Sequence, residues 1–591
     1  MTIFAGIIAR RKSVPFKDSD RQCLTKSISR FKGEIVDEFA GTNFHFVKVD
    51  IGAFGAPGTC NENGCIALLA GEALLSDGGI HRRRDEDLRS LQQTITKHDY
   101  GLLAKSAGTF CAAFFDLTAG ELTLVADKFG VRPIYYWIGE DFAVFSTALR
   151  VIEEMAVVPK TLDVLGVSEE ACFGFPLSDR TPFGGVKTIR ESEIVVIGAK
   201  TVTHHQYWRW DDLKPFSGSI ADAARNAHEQ FISAVKRRLG CDTAVAAFLS
   251  GGLDSRAIVA ALRELDVVIN TANMSDTGSQ DFVFGAQIAK ALGCHHKQIE
   301  PIQESVGGRY LKRELVRWLD SEIPENAQPT RQRLMWGGDG GSVGMGYVYL
   351  TKKMVDLIRA GSSKEAIRDF LEHNSISIPA RVLNSKIAKK FSGVLIENIL
   401  NEINRLNCVD AGRKLHLFLM FNDQRRHLAG LYENIDIDRI ELQLPFFDAH
   451  FMESALSLPL DYCLRHVFYM QWLEHFNPAV LNTPWQAYPG HVPCSIPLPD
   501  KLSYQWTRDK GHEKKKAMGI ASQYRSLVKS QRRFPSEVIS SKRLAAAYFL
   551  TYSGIRDFSY ALRFASIILK YWKFCDEISP FWIRSQKLDS K

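Results

Sequence analysis

The stretch Phe248 to Ser255, FLSGGLDS, decides how this 591-residue chain is read. Ahead of it, Asp242 to Ala247 (DTAVAA) is a short run of small and β-compatible residues, the pattern of a buried strand. Behind it, Arg256 to Arg263 (RAIVAALR) favours helix and is apolar on one side. The order is strand, tight Ser-Gly-Gly turn, helix. Gly251 and Gly252 have no Cβ, so the backbone can approach a ligand closely. The free amides of a helix start gather partial positive charge and bind anions. Ser250 and Ser255 add hydroxyls, and Asp254 offers a carboxylate to a magnesium ion carried in by phosphates. Leu249 to Ser255, with Leu253 opening the helix, therefore reads as a phosphate cradle. It lacks the lysine of a GxxxxGK(S/T) loop.

In this context SGGLDS resembles the pyrophosphate loop of N-type ATP pyrophosphatases, which split ATP into AMP and pyrophosphate to activate a carboxylate or carbonyl. The resemblance implies ATP and Mg2+ as cofactors, with Leu249 to Ser255 on the nucleotide and Asp254 on the metal.

Composition sets the frame. A chain of this length exceeds one core, and two or three domains are expected. Hydrophobic residues at 45% and charged residues at 24% are ordinary for a soluble globular protein. The net charge of +7 is mild and spread out, so nucleic acid is not an expected partner despite clusters at Arg82 to Arg84 and Lys514 to Lys516. The eleven cysteines are scattered without a CxxC pair, which fits reduced thiols in the cytoplasm. The N-terminus lacks the layout of a signal peptide, and no window reaches the apolar length of a membrane helix. The expectation is a soluble cytoplasmic protein.

Residues 1 to about 200 are β-rich. FHFVKV at 44–49 alternates, IALLAG at 66–71 is apolar throughout, and FCAAFFD at 110–116 and LTLVAD at 122–127 flank a turn at Thr118 to Gly120. Stacked strands of this kind suggest a sandwich. GTFCAAFFDLTAGELTLVADKFGVRPIYYW followed by FSTALRVI resembles the second half of a class II glutamine amidotransferase domain, as in asparagine synthetase. That family opens on a catalytic cysteine exposed by removal of Met1, its own amine activating the thiol. Thr2 stands in that place here, and Ala70 replaces the asparagine of an Asn-Gly-Glu oxyanion run. The resemblance implies a retained fold with glutamine hydrolysis lost.

A turn-rich link near 200 to 220 leads into a helix and the phosphate loop, then Val267 to Asn273 as a strand, a helix from Asp281 to Leu292, and His295-His296. Alternating strands and helices imply a parallel sheet with covered faces and a ligand beyond the strand ends. The two histidines have no metal-ligand spacing and read as structural or substrate-proximal. WGGDGGSVGMGY, 336–347, holds six glycines in ten residues and cannot be an ordinary helix or strand interior. It resembles the second signature of asparagine synthetases. Gly338 then lies on the nucleotide, Asp339 is the first acid, and Ser342 replaces the second. IELQLPFFD, 440–448, resembles the Glu-x-Arg-x-Pro-Phe-Leu-Asp run, with Gln443 for the arginine. Asp339 or Glu441 would orient the amine nucleophile or accept its proton. The family's pyrophosphate-neutralising lysine is missing from 482–491, so either a residue such as Arg465 or Lys501 substitutes or pyrophosphate departure is managed differently.

The resemblance implies an α/β protein: an N-terminal class II glutamine amidotransferase-like β-sandwich over 1–205, an ATP pyrophosphatase-like synthetase domain with a parallel sheet over 206–500, and a basic helical extension over 501–591. Three readings stand. The chain closes a lactam in a peptide, as lasso-peptide cyclases do, with a leader-peptide-binding or protease partner. It amidates aspartate or a sugar acid with ammonia or glutamine. Or it is a nonenzymatic ATP-binding partner. In the first two the substrate is a peptide or a small carboxylate.

Overall fold

The computed structural model describes residues 2–11, 15–75, 82–301, 309–391, 393–499, 501–504, 510–530, 534–575 and 577–579. Met1, whose removal the family comparison invokes, lies outside them.

Two six-stranded antiparallel sheets face each other in the first 206 residues. One is built around Thr2–Ala9, buried throughout and paired with Phe44–Asp50 and Phe142–Ser146. The other centres on Glu121–Ala126, Phe110–Asp116 and Cys65–Gly71. Alternate side chains of each strand meet between the sheets. Phe46 lies edge-on to Phe115 and Phe145 there, at centroid distances of 5.2 Å and 5.4 Å. The expected sandwich is present.

The second half holds a five-stranded parallel sheet, in the order His295–Gln298, Val268–Asn273, Ala244–Phe248, Leu334–Trp336, Glu441–Gln443. The chain leaves Ala244–Phe248 outward for two strands, then returns to its other side. That reversal opens a crevice beyond the carboxyl ends of Ala244–Phe248 and Leu334–Trp336, where α/β sheets bind ligands. The two three-residue strands flanking the crevice were not legible in the sequence, being too short to show a period.

Buried ion pairs join the two halves. Arg132 reaches across to Glu441 at 2.7 Å, with both side chains at 1% exposure or less. Glu72 takes Arg331 at 3.3 Å and the Gln443 amide at 2.9 Å. Asp448 binds Arg237 and the buried Arg238, and Arg238 also donates to the Ala107 carbonyl. The C-terminal helices Lys510–Ser530, Ser541–Tyr552 and Ser559–Trp572 pack on the N-terminal domain rather than on the synthetase sheet. Glu577–Ile578 adds a parallel strand beside Thr161–Leu162.

Removing one partner of a buried pair strands the other charge, at a cost of about 3–5 kcal/mol. Arg132→Met is therefore expected to lower the urea unfolding midpoint substantially, and Arg132→Met with Glu441→Leu to recover most of it. A single variant as stable as the parent would show that the pair does not hold the halves together.

Candidate functional site

The crevice contains a cleft of about 490 Å3. Its floor is the loop after Ala244–Phe248. The Ser255 hydroxyl accepts from the Ser250 amide at 3.1 Å, and the Ser250 hydroxyl accepts from the Gly252 amide at 3.1 Å, which fixes the turn. The helix Leu253–Glu264 starts there with Gly252 as its cap, so its first-turn amides have no helical partner and open onto the cleft. Ser250, Gly252, Leu253, Asp254 and Ser255 all line it, as do Gly338 and Asp339. Two residues expected on the nucleotide hold the loop from behind. Leu249 is packed in the core, its carbonyl accepting from Asn273. The Gly251 amide is taken by Asp281 at 2.9 Å.

The glycine-rich stretch lies directly against this loop. A Cβ on Gly341 would sit 2.7 Å from the Asp254 carboxylate, and Gly340 has φ +98°, a conformation that side chains disfavour. The single helical turn Gly341–Gly344 aims its start at Asp254. The Ser342 amide donates to Asp254 Oδ2 at 3.0 Å and the Ser342 hydroxyl to Oδ1 at 2.9 Å, while Tyr469 donates to Oδ1 at 2.6 Å. Burial, helped by nearby Asp339, pushes Asp254 up to about 6 against these hydrogen bonds. Ser342, which stands where the family has a second acid, thus orients the first one.

Asp339 is about a third exposed and accepts from His427 Nε2 at 3.4 Å. Burial opposes a proton on His427, yet the Asp339 carboxylate raises its affinity for one. Among the described residues lining the cleft there is no lysine or arginine: four carboxylates (Asp254, Asp281, Asp339, Asp423) face one imidazole. Arg465 and Lys501, the expected substitutes for the missing lysine, do not line it, and His427 is its one basic side chain.

The segment that lacks the family lysine nevertheless roofs the cleft. The Gln486 amide donates to the Gly251 carbonyl at 3.0 Å, and Gln486 and Tyr488 line the cavity. Buried Arg256 fastens this roof, donating to the carbonyls of Val480, Thr483 and Pro484 and to those of Gly251 and Gly252. His427, Gln486 and Asp281, which line the cleft, and Tyr469, which bonds Asp254, carried no signal in the sequence, because each comes from a separate element.

Glu441 requires a correction. It was expected to handle the amine's proton, but it lies in the last sheet strand, fully buried and paired with Arg132. It does not line the cleft, whereas Asp339, the other expected acid, does. His296 is likewise structural, bonded through Nδ1 to Thr271 at 2.8 Å. No group of three or more ligand residues that could hold a metal occurs among the described residues.

At the other end of the molecule Thr2 is buried. Its hydroxyl donates to Asp50, opposite it across the strand pair, at 2.8 Å, and accepts from Arg84 at 2.6 Å. Burial alone would raise Asp50, but Arg84 and Lys48 hold its carboxyl well below the usual range, making it a poor proton acceptor. Arg84, buried, also donates to the Leu69 carbonyl at 2.7 Å, next to Ala70. The guanidinium fills the space beside the expected nucleophile.

Comparison with known proteins agrees with this layout. Residues 73–208 match the glutamine amidotransferase domain and residues 226–327 the asparagine synthase domain. The glutamine-hydrolysing asparagine synthetase 3 of Bacillus subtilis is 32% identical over 157 residues, 26% of this chain and 25% of that protein. Asparagine synthetase 1 of the same organism is 22% identical over 283 residues, 46% of this chain and 44% of that protein. Amidase chry2 of Gibberella zeae is 23% identical over 177 residues, 29% of this chain and 26% of that protein. The matches therefore span between a quarter and just under half of these relatives. The first matched stretch falls in the antiparallel sandwich and the second in the half that holds the parallel sheet, the order of domains that the relatives' names and the two matched models suggest.

Asp254→Ala is expected to abolish ATP-dependent AMP release in a chain that still folds. Tyr469→Phe should lower it about 10- to 100-fold, the worth of one hydrogen bond to a charged group (~1.5–3 kcal/mol). AMP is scored by chromatography. Near-normal release by folded Asp254→Ala would remove this carboxylate from the site.

Proposed function

We propose that the chain is an ATP-dependent, AMP-forming carbon–nitrogen ligase that adenylates a carboxylate and passes the acyl group to an amine carried by the substrate. The observation that carries the reading is the contrast between the two sites. The phosphate loop is complete, with Asp254 held by three hydrogen bonds at a cleft. The Thr2 hydroxyl is locked between Asp50 and Arg84, and Ala70 offers no oxyanion donor. A working activating site beside a disabled ammonia source needs its nucleophile from elsewhere.

The carboxylate would attack the α-phosphorus of ATP as pyrophosphate leaves, and the amine would then displace AMP. Helix-start amides at Leu253 would stabilise phosphate charge, and His427 would supply a cation to the departing pyrophosphate. Asp339 would orient the amine. Magnesium fits the donor set: a cleft rich in carboxylates and without lysine or arginine takes phosphates when the ligand brings its own cation, which needs one or two carboxylates such as Asp254 and Asp339. When bound it would offset phosphate charge.

The finer reading is macrolactam closure in a lasso-type peptide, with a leader-peptide-binding or protease partner. The second reading, amidation of aspartate or a sugar acid by ammonia or glutamine, is favoured by the names of the relatives. Incubation with ATP and each candidate substrate separates them. A core peptide should lose one water and gain carboxypeptidase resistance as AMP and pyrophosphate form. Efficient synthesis of asparagine from aspartate and ammonium would establish the second reading instead.

Glutamine should yield no glutamate, since loss of even one oxyanion donor typically costs on the order of 100-fold or more. Glutaminase activity that disappears in Thr2→Ala would reverse this and restore ammonia as the nucleophile.

A further inference from the structure

A second cavity, of about 540 Å3, adjoins the nucleotide cleft and shares Tyr349, Asp423 and Tyr488 with it. Its walls come from both halves of the molecule and pair an aromatic side with a polar one that carries Asn374, Asn422 and the imidazoles of His373 and His491. Phe173 and Phe175 flank Gly174, the left-handed stop of the helix Val164–Phe173 in the N-terminal domain, and their rings stack at 6.1 Å. Phe370, from Ser363–His373, meets Phe418 edge-on at 6.3 Å on the synthetase side. Among the described residues lining this cavity there is no lysine or arginine, and Asp423 is its one carboxylate.

Asp423 owes its place to a break in the helix. Met420–Gln424 forms a π-helical turn, a wider coil that costs hydrogen-bond geometry and often marks a functional position. Asn422 in this turn accepts from the Ser178 amide at 2.8 Å, which docks the turn on the N-terminal domain. Asp423 is left at the junction of the two cavities, its Oδ2 accepting from Gln424 at 2.6 Å and no basic side chain within ion-pair distance among the described residues. Burial raises the cost of its charge, with His427 the nearest compensation. A cation arriving from solution would satisfy it.

We infer that this cavity binds the amine-bearing end of the substrate: an ammonium on Asp423, with a large apolar or aromatic group next to it among Phe173, Phe175, Phe370 and Phe418, and no neighbouring carboxylate. A free α-amino acid fits poorly, since its carboxylate would meet Asp423 with no guanidinium or ammonium to receive it. An amine whose carboxyl is already in an amide, as at a peptide N-terminus, has the required chemistry. The inference rests on the ligase reading above. In the transfer step the C–N bond forms as the acyl–phosphate C–O bond breaks. AMP leaves with that electron pair, and the ammonium bound on Asp423 gives up one proton to Asp339, which orients the freed amine, and one to water.

The test is calorimetric titration of the full chain with L-phenylalaninamide, beside L-aspartate and ammonium, in the presence of magnesium and a non-hydrolysable ATP analogue. L-Phenylalaninamide should bind, L-aspartate should not, and Asp423→Asn should weaken the amide at least ten-fold. Phe173→Ala, which trims a partly exposed ring, should weaken it several-fold while leaving analogue binding intact. It also keeps the test decisive if Asp423→Asn fails to fold. Absence of L-phenylalaninamide binding, or binding unchanged in both variants, overturns the inference. AMP release is scored separately. Amine binding that follows these variants without AMP release from any carboxylate would defeat the ligase reading and leave the amine site standing. AMP release from aspartate and ammonium without amine binding would do the reverse.

Discussion

One buried guanidinium sets the geometry of the cleft. Arg256 lies in the helix Leu253–Glu264, and no carboxylate among the described residues pairs with it. Burial pulls its pKa down to about 10, and its charge is met by five backbone carbonyls. Two of them belong to the loop itself and three to the segment 480–484, more than two hundred residues further on. A planar five-donor fork suits this work, and a lysine in its place would leave most of those carbonyls unsatisfied. Because the segment is tied down, Gln486 and Tyr488 line the cleft, and Tyr488 also lines the second cavity.

Much of this was legible in the sequence, and the reasons divide cleanly. SGGLDS between a strand pattern and a helix pattern located the cleft, since a tight turn, free amides and a carboxylate are all local properties. The sandwich was legible because its strands are long enough to alternate. The short strands Leu334–Trp336 and Glu441–Gln443 were not, and with them went the position of Glu441. A motif match placed that acid at a reactive centre, but its register in the sheet turns it toward Arg132 in the interior. His427, Tyr469 and Asp423 were invisible for a different reason. Tyr469 stands on a short helix, Asp423 in a π-helical turn and His427 in the turn after it, none with a local sequence signature, and only the packing of distant elements brings them to Asp254 and Asp339.

The N-terminal domain keeps its amidotransferase-type architecture while the hydroxyl at its expected nucleophile is clasped by Arg84 and Asp50. Its preservation has a structural rationale independent of glutamine chemistry. Arg132 and Glu72 neutralise buried partners in the synthetase half, Ser178 anchors the π-turn, and Phe173 and Phe175 supply an aromatic wall. A domain that contributes walls and counter-charges has a structural role whatever chemistry its own site performs.

The short strand Glu577–Ile578, laid beside Thr161–Leu162, also bears on how the molecule is made. The apolar cluster beneath it unites residues from Ile3 to Val186 with others from Ala521 to Cys575. Contacts this far apart in sequence form slowly, because long loops must close before burial rewards them. During synthesis the first domain therefore waits, one face of its sheet uncovered, while the whole synthetase domain is translated. The last helices then complete it. Until Ser559–Trp572 docks, that apolar surface stays open to solvent, the kind of exposure that makes a folding intermediate prone to aggregate.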